Sequence, residues 1–389
     1  MGNRQFGRLL VACTRTHDWT HPPAGVAALL PAASDRNRLV EAACRHGVEA
    51  CAHLSLRRVD ALDGATRQEL ERAYFAALQS HARAKYDLAG AAAALDDAGI
   101  AWLAFKGPVL AETTYERPDL RSYSDLDLLV APRQLQDAIG ALGAHGAELL
   151  DRNWALARRR MAGEVHLRMP GGTVTDLHWN VCNDPAVRTT FNAPTDELLE
   201  RVRFVDIDGR RIPTLGIEDA LVHLAVHACV SGGTRLLWSK DLEQALRAEP
   251  VVWSALVARA RAWRAGPPTA AMLHIASRTL GFDVPGSVLR ALSPGPVWRV
   301  TVAMTRRVAP VEDWEGGASL VRDVCRSTRG NDRTSTVALG RRAVSLMRSG
   351  RRRGPHEPDR DPESPNSVLH PADDGDRVAY FAEVERAHG

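Results

Sequence analysis

Two acidic residues stand one position apart in the run Ser124-Asp125-Leu126-Asp127-Leu128-Leu129-Val130, and they are the sharpest chemical feature of the chain. Side chains alternate along a strand, so Asp125 and Asp127 face one way while Leu126 and Leu128 face the other, into a core. Carboxylates so placed lie roughly 6–7 Å apart at Cα. That spacing lets them bracket hard cations, which take oxygen ligands. Two such ions ~3.5–4 Å apart can hold the attacking and leaving oxygens of an in-line displacement at phosphorus. Like charges on an otherwise apolar strand repel, and a cation offsets that cost. The competing reading makes both residues the solvent face of an edge strand.

A third acid, Asp176, lies in Val174-Thr175-Asp176-Leu177-His178-Trp179. Val174, Asp176 and His178 share one face of this second short strand, so Asp176 is able to sit beside the first pair. His178 either lines the same space or braces the strand, and bracing is the simpler role. His223 and His227, four apart on a helix, have a metal-binding spacing but no third ligand, so packing histidines are expected there.

The elements that must position these residues follow from periodicity. Ile100–Phe105 and Leu126–Val130 read as buried strands, with short helices over Pro108–Tyr115 and Gln134–Leu142. Val165–Met169 and Thr173–Trp179 flank a Pro170-Gly171-Gly172 turn, and Phe204–Ile207 and Arg210–Pro213 flank Asp208-Gly209, which predicts two hairpins. Residues 34–99 read as helices, with Ser34 as a first cap, a Thr66…Glu69 capping box and Gly99 as a C-cap. Helices return from Ile217, whose stripe runs through Ala220, Leu221, Leu224, Ala225 and Ala228, then over Leu236–Ala248, Val252–Ala262 and Thr269–Leu280. Residues 347–376 are polar and rich in Pro and Ser, which predicts disorder, before a short terminal helix over Val378–Val384. The expected organisation is a helical region over 1–99, a core over 100–215, a helical region over 216–346 and a tail over 347–389.

A chain of 389 residues with 45% apolar content can bury a large core. Its 50 basic and 47 acidic residues nearly balance, which makes a long nucleic acid an improbable partner. The Arg351-Arg352-Arg353 cluster reads as a solvated tail. The six cysteines are scattered without a CxxC pair, so reduced thiols are expected and a zinc site is not. No apolar run approaches the ~18 residues of a membrane span, so the expectation is a cytoplasmic protein.

The order of motifs resembles the nucleotidyltransferase superfamily of the DNA polymerase β type, and more closely a bacterial family of uncharacterised nucleotidyltransferases. The residues that carry the resemblance are Lys106, Gly107, Tyr115, Arg121, Ser124, Asp125 and Asp127, then Asp176-Leu177-His178-Trp179, Leu224–His227, and Trp238 with Asp241-Leu242. It covers about residues 70 to 245. It implies an α+β fold, a mixed sheet flanked by N- and C-terminal helical regions. It also implies two Mg2+ ions held by Asp125, Asp127 and Asp176, with Asp176 completing the acceptor-side site. The implied reaction moves a nucleoside monophosphate, most simply AMP from ATP, to a small-molecule or peptide acceptor with release of pyrophosphate. Classical members carry Gly-Ser after the first strand, where this chain has Lys106-Gly107-Pro108. Lys106 would then neutralise the triphosphate, Gly107 would let the backbone approach it, and Ser124 and Arg121 would assist. Arg121 is equally suited to pairing with Asp119 or Asp125. Other readings of the same acids are a kinase-like phosphotransferase, a phosphodiesterase, or an inactive nucleotide-binding partner protein.

Overall fold

Alternating apolar and polar residues in the middle of the chain become strands of one mixed sheet. They are β1 (Trp102–Ala104), β2 (Asp125–Val130), β3 (Glu148–Leu149), β4 (Glu164–Arg168) and β5 (Val174–His178). The order is β1-β2-β5-β4-β3, with β2 and β5 parallel and the other neighbours antiparallel. The computed structural model describes residues 2–32, 36–293, 295–305, 320–328, 333–338, 340–341, 364, 367–370 and 374–386. Ser34 and Arg351–Arg353 lie outside the described residues, as does most of the stretch read as a disordered tail.

The chain forms two units. One comprises Ser80–Thr113, Ser124–Gly216 and His356–Gly389, and the other Met1–Gln79, Thr114–Tyr123 and Ile217–Pro355. The division falls inside one helix, Gly64–Asp97, and returns Thr114–Tyr123 to the helical unit.

In the sheet unit, Trp102, Ala104, Leu126, Leu128, Val130, Val165, Leu167 and Leu177 share the buried apolar face. Leu88, Ala91, Ala92 and Leu95 of the long helix join this core, with Leu135, Ala138, Ile139 and Leu142 of helix Leu135–Ala144. Each fully buried leucine contributes about 1.5–3 kcal/mol, so this face determines which way the strands turn. The long helix ends in a Schellman motif at Gly99 (φ 65), where the Ile100 N–H donates to the Leu95 carbonyl at 3.0 Å. Asp87 of that helix clamps the β4–β5 turn, accepting from the Gly171 N–H at 2.7 Å and the Thr173 N–H at 2.9 Å. A Cβ on Gly171 would stand 2.6 Å from the Asp87 Oδ1, which is why glycine occupies the turn. Strands β6 (Arg203–Ile207) and β7 (Arg210–Thr214) form the second hairpin, with Asp208 (φ 52) and Gly209 (φ 77) in the left-handed turn. The terminal helix Asp374–Arg386 sets Tyr380, Phe381 and Val384 into the core of the sheet unit. Ser367 and Val368, within the stretch expected to be a tail, accept hydrogen bonds from Asn153 and Arg152.

The other unit is helical. Its helix Ile217–Val230 differs from the expected one-sided stripe: Val222, His223 and Val226 are buried as well, so it is enclosed nearly all round. The start of the long helix is also corrected. Asp63, not Thr66, is the cap, accepting from the Thr66 N–H at 2.9 Å. All six cysteines are free and only Cys44 is exposed. Among the described residues, no helix is long and apolar enough to cross a membrane.

Candidate active site

The sheet's second face gathers the polar residues. The parallel pairing of β2 and β5 sets Asp125 opposite Val174, Asp127 opposite Asp176 and Leu129 opposite His178. The antiparallel pairing of β4 and β5 then sets Glu164 opposite His178 and His166 opposite Asp176. Neighbouring strands lie ~4.8 Å apart, so paired side chains on one face are forced together. Ligand atoms of Asp127, Asp176 and His178 lie within 4.8 Å of one another, and so do those of Glu164, His166 and Asp176. Asp125, two residues earlier on the same face, joins neither group.

Lys106 arrives from the end of β1. The Phe105 N–H donates to the Asp127 carbonyl at 3.3 Å, which extends the pairing and delivers Lys106 Nζ to Asp127 Oδ1 at 2.5 Å. Gly107 follows at φ 46, a left-handed conformation that favours glycine, and opens helix Gly107–Thr113. Ser124 is exposed immediately before β2. Arg121 belongs to the helical unit, where its guanidinium is buried against Asp241 at 2.8 and 3.1 Å. Tyr115 donates to the same carboxylate at 2.6 Å. Asp119, one of the partners open to Arg121, accepts from Arg117 and Tyr74. Arg121, Tyr115 and Asp241, all motif residues, thus form one hydrogen-bonded cluster.

The electrostatics separate the acids. Asp127 is almost fully enclosed; burial disfavours its charge, but Lys106 and His178 outweigh that and hold its pKa well below the usual carboxylate range. Lys106 is held up in turn, because Asp127 and Asp125 outweigh its burial. Glu164 is lowered in the same way by His178 and His166. Asp176 goes in the opposite direction. Its burial raises its pKa, and the neighbouring charges of Glu164 and Asp127 raise it further. Its ion pair with His166 is 3.8 Å long, beyond hydrogen-bond reach. A buried carboxylate beside other carboxylates is a position that a divalent ion would relieve.

Glu164, His166 and Asp151 are the site residues that sequence reasoning missed. For Glu164 and His166 the signal was present, since Glu164-Val165-His166-Leu167 alternates polar and apolar residues as Asp125-Leu126-Asp127-Leu128 does. His178 makes short contacts with Asp127 (3.1 Å) and Glu164 (3.3 Å) and is edge-on to Phe105, so it both braces the strand and lines the site. His223 and His227 are in neither cation-binding group; His227 packs edge-on to Trp238.

A family model described as uncharacterised nucleotidyltransferase matches residues 32–281, more than half of the chain. The chain belongs to this family. No curated protein matches it. For a nucleotidyltransferase, the α+β architecture and its five-stranded mixed sheet are the expected frame, and the family implies a nucleotide substrate. The match spans both the Asp125/Asp127 strand and Asp176, so the acids described above fall inside the region shared with the family.

Proposed function

We propose that the chain transfers a nucleoside monophosphate, most simply AMP from ATP, to a small-molecule or peptide acceptor and releases pyrophosphate. The reading is supported above all by the register that pairs Asp127 with Asp176 on parallel strands, their ligand atoms within 4.8 Å. The donor set, oxygen-rich with a buried carboxylate lacking a short cationic partner, fits a divalent ion. Asp127 and Asp176, whose ligand atoms converge, would hold it, with Asp125 reaching in from two residues along the same face, and two Mg2+ ions are what the family resemblance leads us to propose. Bound there, such ions would supply positive charge to the triphosphate and make the α-phosphorus more electrophilic.

The chain's own residues account for the remainder. The acceptor's oxygen or nitrogen attacks the α-phosphorus, the bond to pyrophosphate breaks, and the acceptor's proton must leave. Asp176 would complete the acceptor-side site and, ionised there, would favour loss of that proton. Lys106 balances Asp127 in the resting state and is positioned to turn its charge to phosphate oxygens. Gly107, at φ 46, would let the backbone approach the triphosphate, and the exposed Ser124 hydroxyl is available to phosphate. Catalysis of this kind is mostly positioning and charge stabilisation.

The test is incubation with ATP, magnesium and candidate acceptors, read by pyrophosphate release and mass spectrometry, with Asp127→Asn as control. The expected product is an acceptor heavier by one AMP, absent in the control. ADP in place of pyrophosphate would replace the proposal with a kinase-like reaction. Absence of magnesium-dependent nucleotide binding would leave a non-catalytic partner protein.

A further inference from the structure

We propose that Arg168 is an anion subsite on the acceptor side of the reaction centre, so that the acceptor carries a carboxylate or phosphate group. The inference rests on the nucleotidyl-transfer reading above and deepens it by giving the chemical class of the second substrate. Arg168 closes β4 opposite Val174, two residues before Asp176. The register that sets His166 opposite Asp176 therefore turns Arg168 to the same polar face. Leu167 and Met169 on either side of it are buried, whereas Arg168 is exposed.

Its guanidinium is held out without a partner. Among the described residues it makes no hydrogen bond, ion pair or ring contact. Glu148, the cross-strand neighbour on β3, is drawn instead to Arg152 at 2.8 Å. Asp87, at the adjoining turn, spends both oxygens on the N–H groups of Gly171 and Thr173. Arg83, exposed and likewise unpaired among the described residues, approaches the same turn: a Cβ on Gly172 would meet its Cδ at 3.8 Å. This end of the hairpin thus carries positive charge that its acids do not neutralise. The backbone beneath is fixed, since the Met169 N–H donates to the Thr173 carbonyl at 2.9 Å and the Gly172 N–H to the Met169 carbonyl at 2.8 Å. A free guanidinium on a rigid strand end suits bidentate capture of a carboxylate or phosphate.

Position separates this anion from the triphosphate. Lys106 reaches Asp127 from β1, on one side of β2. Arg168 lies two strands away on the other side, about 10 Å across the sheet, with β5 and Asp176 between. Along the hairpin it stands two residues from the row of Asp176, roughly 6–7 Å. An acceptor whose hydroxyl or amine attacks at Asp176 would lay an apolar spacer over Val174 and meet Arg168 with its anion. The span between nucleophile and anion is then set by the strand.

The test uses the full chain, inorganic phosphate as the anion and α,β-methylene-ATP as an unreactive nucleotide. Calorimetry with magnesium measures the analogue. Phosphorus NMR measures phosphate binding to the chain saturated with analogue and to the chain without it. We expect phosphate to bind the saturated chain, about tenfold or more weakly in Arg168→Gln and with a smaller loss in Arg168→Lys. The analogue should bind all three chains alike. Unchanged thermal unfolding should show the variants folded, since no side-chain contact of Arg168 is removed. Phosphate that ignores the saturated chain, or binds Arg168→Gln equally well, overturns the inference. Analogue binding that falls with Arg168 overturns it too and assigns the arginine to the triphosphate. If no chain binds the analogue while phosphate still depends on Arg168, the nucleotidyl-transfer reading sinks and the anion subsite stands.

Discussion

In the helical unit, Arg121 meets Asp241 at 2.8 and 3.1 Å, Tyr115 adds a 2.6 Å hydrogen bond, and Lys240 faces Glu243 at 2.8 Å with Thr16 beside it. In the sheet unit, Asp176 has only a 3.8 Å ion pair with His166, and Glu164 divides its oxygens between two histidines at 3.3 and 3.5 Å. Both sets are buried and both are rich in charge. The first is matched pair by pair at hydrogen-bond distance, as structure requires. In the second, among the described residues, Asp176 meets its counter-charge on His166 only at 3.8 Å while Glu164 and Asp127 crowd it. The difference teaches where to look for chemistry: at the buried charge the fold leaves unbalanced.

The largest expected effect tests the unbalanced side. Asp176→Asn should lower turnover by about 10²–10³-fold, the range for losing one preorganised electrostatic group. It should also raise the melting temperature of the metal-free protein, since it removes a charge that Glu164 and Asp127 repel. A variant that is inactive because it is less stable would place Asp176 with the matched, structural charges.

The matched side gives the next effect. Arg121→Leu leaves Asp241 buried without its partner and should cost about 3–5 kcal/mol in urea unfolding. Turnover per folded molecule should stay unchanged. If turnover fell while stability held, Arg121 would return to the phosphate contact that its place in the motif suggested.

How much of this was legible in sequence follows from the same contrast. The Asp125/Asp127 face, Asp176 on a second strand and both hairpins follow from local alternation, which the chain states plainly. Arg121 and Asp241 are 120 residues apart, and no local pattern announces that they meet. Glu164 and His166 alternate as visibly as the Asp pair, but only the register of β4 against β5 brings them to Asp176. Asp63 and the Thr66…Glu69 box are both locally consistent helix starts, and only the folded hydrogen bond selects Asp63. The enclosure of helix Ile217–Val230 is a tertiary fact, since its stripe reads the same whether one face or all faces are covered.

A smaller effect concerns the matched chemistry inside the sheet unit. Asp87→Asn keeps one acceptor but turns an amide against a backbone N–H of the β4–β5 turn. The expected cost is about 1–3 kcal/mol by denaturant melts. The KM for nucleotide should be untouched, because the clamp lies at the turn end of the hairpin. A rise in KM without loss of stability would show that the clamp positions the site and does more than hold the turn.

The smallest effect is in pH, and its sign separates the two kinds of buried charge. In the metal-free protein Asp176 is pushed up to about 8 from 3.8, by burial first and then by Glu164 and Asp127. Between those values the folded chain holds a proton that the unfolded chain has released, so stability falls as pH rises. His166 acts in the same direction. Burial disfavours its charge, but Asp151 and Glu164 outweigh that and push it up to about 11 from 6.5, so its contribution is also lost as pH climbs. Thermal unfolding without metal should therefore show a lower melting temperature at pH 8.5 than at pH 6, by about 2–4 °C for each kcal/mol lost. Divalent metal should reverse the trend, because the ion takes the place of the proton and binds best once Asp176 has released it. The stabilisation conferred by metal should consequently grow from pH 6 to pH 8.5. Arg121 stays charged throughout that range and cannot mimic this slope. A flat profile with and without metal would mean that Asp176 has a close counter-charge after all, and the two units would then handle buried charge alike.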